Sequence, residues 1–132
     1  MFRYLLLNVA VLLAGCVSYI QRPEAIGVVL DSETGKPIQG ARVTYPPVPR
    51  SWNVPQGLPE ATATTSRYGR FRFPAKRDSN FLLSWNTTPE FFRFTFAISA
   101  DGYLVTNIIG YASSNTLWRF DFGRIMLKRD PG

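Results

Sequence analysis

Phe92-Arg93-Phe94-Thr95-Phe96-Ala97-Ile98-Ser99 decides the fold. In an extended chain Phe92, Phe94, Phe96 and Ile98 share one face, and Arg93, Thr95 and Ser99 share the other, because strand side chains alternate with a period of two. Helical spacing would scatter the same residues around an axis. The stretch predicts a strand with one apolar face turned to a second sheet. Its aromatic stripe reads as core, not as a ligand site. Asp101-Gly102 follows as a tight-turn signal.

The pattern repeats outward in both directions. Arg70-Phe71-Arg72-Phe73 alternates cleanly, and so does Ala41-Arg42-Val43-Thr44-Tyr45. Ala25 to Leu30 is a short apolar run, and Ala61 to Thr65 and Tyr103 to Ile109 read as further strands. Trp118, Phe120 and Phe122 alternate with Arg119 and Asp121, and Ile125 and Leu127 finish that pattern. Phe81 to Trp85 fits either an extra strand or a packed loop. Asp31-Ser32-Glu33-Thr34-Gly35-Lys36-Pro37 is dense in turn formers. Beyond residue 16 no stretch of helical length carries helical periodicity. About seven short strands separated by Gly and Pro turns predict an all-β, antiparallel seven-stranded sandwich.

The amino terminus reads differently. Arg3 supplies a positive start, Tyr4 to Leu13 an apolar run, and Leu13-Ala14-Gly15-Cys16 closes it with small residues before the chain's single cysteine. A membrane span wants about 20 apolar residues, and this run is shorter and interrupted by Asn8. The four closing residues match the lipobox, and the segment resembles the signal peptide of bacterial lipoproteins. That resemblance implies cleavage after residue 15 and a thioether-linked diacylglycerol on Cys16, with an amide-linked acyl chain (palmitate or similar). Val17 then favours the outer membrane over the inner. The chain divides into a signal peptide (1–15), a lipidated Cys16 with its tether (16–24), and a folded domain (25–129).

Three pieces of that domain are similar to the carboxypeptidase regulatory-like domain, a transthyretin-like β-sandwich. They are Gly27-Val28-Val29-Leu30-Asp31 with Thr34-Gly35-Lys36-Pro37-Ile38 and Gly40-Ala41-Arg42-Val43, then Thr64 to Phe73, then Ile98-Ser99-Ala100-Asp101-Gly102-Tyr103. These are turn and strand-start signals and imply a fold without a reaction. Ser66 departs from the family's usual Asp. Residues 46–60 and 76–92 exceed what a minimal domain needs, so a particular function could lie there.

The chain contains no histidine. This removes the usual base of Ser or Cys triads, imidazole ligands for zinc, and the His-dependent chemistry of transthyretin-like hydrolases and intradiol dioxygenases. Most acidic residues fall in turns, where they cap backbone amides. The expectation is a non-enzyme with no cofactor beyond the lipid on Cys16, and no metal. The formal charge of +6 falls by one when Arg3 leaves with the signal. Outside the cytoplasm the polyanions within reach are lipid headgroups and cell-wall polymers, so nucleic acid is not an expected partner. Arg70, Arg72, Arg93, Arg119 and Arg124 alternate with apolar residues and read as a solvated sheet face.

Candidate partner contacts are Trp52, in the proline-rich stretch from Tyr45 to Glu60, together with Trp85 and Arg67. Trp52 could instead cover a sheet edge. Ser66-Arg67 with Lys76-Arg77 could flank one end of the sandwich and meet anionic headgroups. These residues describe a lipid-anchored binding or assembly module of the cell envelope, on the periplasmic side of the outer membrane, whose partner is an envelope protein or a glycan. A peptidoglycan- or carbohydrate-binding lipoprotein, with Trp52 and Trp85 as stacking platforms, and an accessory subunit of an envelope secretion or transport complex are the alternatives.

Overall fold

The computed structural model of the protein describes residues 18–50, 54, 56–79, 91–113 and 116–132. Its strands are β1 (Ser18–Arg22), β2 (Glu24–Asp31), β3 (Arg42–Tyr45), β4 (Ala61–Thr64), β5 (Arg70–Phe73), β6 (Lys76–Ser79), β7 (Phe91–Ser99), β8 (Thr106–Ser113) and β9 (Arg119–Leu127). The order β5-β2-β9 makes a three-stranded sheet and β4-β3-β7-β8 a four-stranded one, while β1 and β6 form a separate ribbon.

The apolar faces of the two larger sheets meet in one core. Val43, Tyr45, Phe96 and Ile98 come from the four-stranded sheet, and Ala25, Val29, Phe71, Phe73, Phe120 and Leu127 from the three-stranded one. Tyr45 is its pivot: no part of it is exposed, and its ring lies 4.5 Å from that of Phe96 and edge-on to Phe73 at 5.4 Å. A buried hydroxyl without a partner would be costly. The Tyr45 hydroxyl donates to the Pro23 carbonyl at 2.9 Å, and burial pushes its pKa far above the ordinary tyrosine value.

Three expectations need correction. Nine strands form among the described residues, not about seven, and β9 runs parallel to β2 instead of antiparallel. Alternation reports which face a residue takes and is silent on strand direction, so the sequence could not show this. The stretch read as a tether is largely structured. Residues 18–22 pair with β6, Ile20 and Arg22 are buried, and residue 24 already belongs to β2. Ile20 joins the core cluster, which is what draws the segment in. The strand expected from Tyr103 to Ile109 begins later, at Thr106, and runs to Ser113. Tyr103 itself is committed to an isolated bridge with Arg129.

The proline-rich stretch is tied down where it is described. Val48 and Leu58 exchange both backbone hydrogen bonds at 2.9 Å, and Val48 and Val54 are buried. The segment from residue 76 begins as β6 and is thereby paired with β1.

Candidate functional site

Along β2 the odd positions from Ala25 to Asp31 are buried, and the even ones, Glu24, Ile26, Val28 and Leu30, are half-buried on the outer face of the sheet. An outer face exposed only to water would favour polar residues there. Three of the four are aliphatic. Neighbouring strands put charge beside them: Ile26 is paired with Arg72 on β5 and Asp121 on β9, and Val28 with Arg70 and Arg124.

A bulge in β9 shapes this face. Between Ile26 and Val28 on β2 the register on β9 steps from Asp121 to Arg124, one residue more than an even ladder allows. Gly123 takes φ +60° and donates its N–H to Asp121 Oδ1 at 3.0 Å. A glycine in the left-handed region is the residue such bulges use. The extra residue returns Ile125 and Leu127 to the core while leaving both Asp121 and Arg124 exposed.

The result is a cavity of about 520 Å³, within the 300–1,000 Å³ range of small-ligand clefts. Its lining runs from Asp121 and Gly123 across Ile26 and Val28 to Arg70, Phe71 and Arg72, and ends at Ala63, Thr64 and Ser66. Gly27 contributes by lacking a side chain. A Cβ there would lie 2.7 Å from the Phe71 ring, so only glycine lets that ring approach β2 so closely.

Charge is distributed unevenly around the opening. Glu24 holds two arginines, Arg72 through Oε2 at 3.1 Å and Arg119 through Oε1 at 2.9 Å. Arg70 and Arg124, on either side of Val28, have no carboxylate partner among the described residues. Two guanidiniums without ion pairs, against the lining carboxylate of Asp121, leave one net positive charge beside an aliphatic floor, which suits an anionic group carried on an apolar body.

A second polar cluster lies at the far end of β2. Asp31 is buried, and its Oδ2 accepts from the Tyr103 hydroxyl at 2.6 Å and from Arg129 Nε at 2.9 Å. Its Oδ1 accepts from the backbone N–H of Glu33 at 2.7 Å and of Thr34 at 3.2 Å. The Tyr103 hydroxyl first, then these amides and Arg129, hold the carboxyl well below the usual carboxylate range. The same bond raises the Tyr103 pKa. Both oxygens are occupied, so the cluster is a clasp joining β2, the turn at Gly102 and the carboxy-terminal segment. Among the described residues no cluster of His, Cys, Asp or Glu is arranged to hold a metal ion.

Of the residues singled out from the sequence, Cys16, Trp52 and Trp85 lie outside the described residues. Arg67 sits in the exposed turn between β4 and β5 with its guanidinium 5.0 Å above the Tyr68 ring. It does not meet Lys76 and Arg77. Arg67 precedes β5 and they follow it, at opposite ends of a strand that spans roughly 10 Å or more. The cavity was missed because Arg70 and Arg72 read as a solvated face. The available signal was Ala25 to Leu30, whose unbroken apolar run marks a strand covered on both sides.

No family model matches the chain, and no curated protein matches it. Among solved structures it is similar to the 3-chlorocatechol 1,2-dioxygenase of Rhodococcus opacus 1CP, with a TM-score of 0.52 and 14% identity over 84% of this chain. The chain spans 62% of that enzyme's length. At this identity the likeness concerns the fold alone. A 9R-lipoxygenase from Cyanothece PCC8801 superposes at a TM-score of 0.42, with 21% identity over 85% of this chain and 18% of its own, too loosely to bear on this chain.

Proposed function

We propose that this protein is a lipid-anchored, non-catalytic binding module of a bacterial envelope, built on a transthyretin-like sandwich of the carboxypeptidase regulatory-like kind. The lipobox ending at Cys16 supports the anchor and the extracytoplasmic location, on the periplasmic side of the outer membrane. The absence of histidine and the full occupation of Asp31 support binding over turnover. The cavity over Ile26 and Val28, lined by Arg70 and with Arg124 paired beside Val28 on β9, carries the reading. It receives an acidic, partly apolar element of an envelope protein.

The test is a photo-crosslinking amino acid at Thr64, on the cavity rim, in cells making the full-length protein. One product of fixed mass is expected, lost when Arg70→Glu is added and unchanged by Arg93→Glu, exposed on β7 of the other sheet. Products insensitive to Arg70→Glu would overturn the assignment. A glycan partner would give no protein product, and retention on peptidoglycan in its place would favour a carbohydrate-binding role.

A further inference from the structure

The most exposed large apolar side chain among the described residues is Leu117, at 83%. It occupies the turn joining β8 to β9, where Leu117 and Trp118 both take positive φ, 53° and 55°. Non-glycine residues are disfavoured there, and two in succession need support from their surroundings. Trp118 supplies it. Its ring packs edge-on against Phe92 at 5.9 Å, and its backbone N–H donates to the Ser113 carbonyl at 2.9 Å. The Thr116 hydroxyl accepts from Ser113 N–H at 2.9 Å and donates to Ser113 O at 3.1 Å. A turn built this firmly holds Leu117 out into solvent, where burial of Trp118 gives it no reason to be.

The position of this turn gives the reason. Arg119, two residues on, pairs with Glu24 at the start of β2, directly after β1 and Pro23. Leu117 thus projects from the end of the sandwich at which the chain enters. Only about 7 Å of extended chain separates Ser18 from Cys16. The same end carries Lys76, Arg77 and Arg119, all exposed, against Glu24 and Glu60, and Glu24 is already shared between Arg72 and Arg119. The opposite end exposes Leu104 and Val105 among both signs of charge, Glu33, Asp101 and Asp130 beside Lys36, Lys128 and Arg129. Charge at that end is mixed, so the position of the anchor, together with Leu117 and the cations beside it, singles out the chain-entry end.

We propose that the chain-entry end is a membrane-docking surface: Leu117 enters the boundary between headgroups and acyl chains, and Lys76, Arg77 and Arg119 meet anionic phospholipid headgroups. This rests on the anchoring at Cys16 proposed above. The anchor supplies residence at the bilayer. The docked turn fixes orientation, leaving the cavity on the β5-β2-β9 face at the side of the domain, open to a partner.

The test uses the mature protein purified from membranes, its N-terminal mass checked, in vesicles of phosphatidylcholine with or without phosphatidylglycerol. An environment-sensitive fluorophore is attached through Leu117→Cys, or through Lys36→Cys at the far end; an acylated Cys16 does not react. The probe at 117 is expected to shift to the blue and to be quenched about twofold by lipids spin-labelled at a depth of ~5–10 Å, more so with phosphatidylglycerol. The probe at 36 stays solvent-like. Lys76→Glu with Arg77→Glu, which leaves the turn intact, removes the phosphatidylglycerol dependence. Solvent-like emission at 117 overturns the proposal, as does a shielded probe that spin-labelled lipid cannot quench, the mark of a protein occupant. An unmodified N-terminus overturns the anchoring and this inference together, whereas an acylated protein with a solvent-exposed 117 overturns the docking alone.

Discussion

Tyr103 donates its hydroxyl to Asp31 Oδ2 at 2.6 Å, joining two residues far apart in the chain. The bond fastens the end of β2 to the turn after β7, and Arg129 adds the carboxy-terminal segment to the same carboxylate.

Folding stability should therefore respond to acid through Asp31. Its pKa is depressed in the folded state, so the contribution is fully present above the unfolded value of about 3.9 and is lost as pH falls toward the folded one. Thermal unfolding of the wild type is expected to be insensitive to this group from neutral pH to about 4 and to weaken below that. Asp31→Asn should lower Tm at pH 7 and flatten the acid limb. Tyr103→Phe should make that limb shallower and end it at a higher pH, because the folded pKa rises toward the unfolded value at which the limb starts. Equal acid sensitivity in wild type and Asp31→Asn would refute the clasp.

Much of this fold is legible in the residues. Phe92, Phe94, Phe96 and Ile98 announce their strand because a two-residue period is local information, and Asp31 to Pro37 announces its turn for the same reason. The unread parts depend on distant partners. Ser18 to Arg22 becomes a strand only when β6 pairs with it. Tyr103 looks like the start of a strand, yet Asp31 and Arg129 claim it. The bulge at Gly123 hides within an apolar pattern that merely changes phase after Phe122. For the site, no local rule links Arg70 to Val28 and Arg124. Their adjacency exists only once β5 and β9 flank β2.

Gly69 shows a backbone demand that no other residue meets. It sits at φ +76°, and a Cβ would lie 2.4 Å from the Val29 carbonyl oxygen. That oxygen belongs to the backbone of a core strand and accepts from Ile38 N–H at 3.0 Å, so it cannot easily withdraw. Gly69→Ala should destabilise the domain by more than the ~1–2 kcal/mol of a left-handed L-residue alone. Urea unfolding with an unchanged m-value measures it. A cost within error of zero would mean the turn is not held as described.

Arg22 invites the opposite outcome. It is 5% exposed, its guanidinium lies 4.6 Å above the Tyr45 ring, and its Nε has no hydrogen-bond partner among the described residues. Burial lowers its pKa. An unsatisfied buried donor costs roughly 1–3 kcal/mol, while the aliphatic stem still contributes packing. Arg22→Met keeps the stem and removes the donor, so the urea midpoint should stay level or rise. A loss of more than about 1 kcal/mol in unfolding free energy would show that the cation stacked on Tyr45 outweighs the unmet bond.

The measurement that bears most directly on an envelope-tethered module is the mass of its amino-terminal peptide, taken from the membrane fraction of cells fed labelled palmitate. The expected peptide begins at Cys16 and carries a diacylglycerol thioether with an amide-linked acyl chain and the label. A chain that retains residues 1–15 with an unmodified thiol at Cys16 would contradict it.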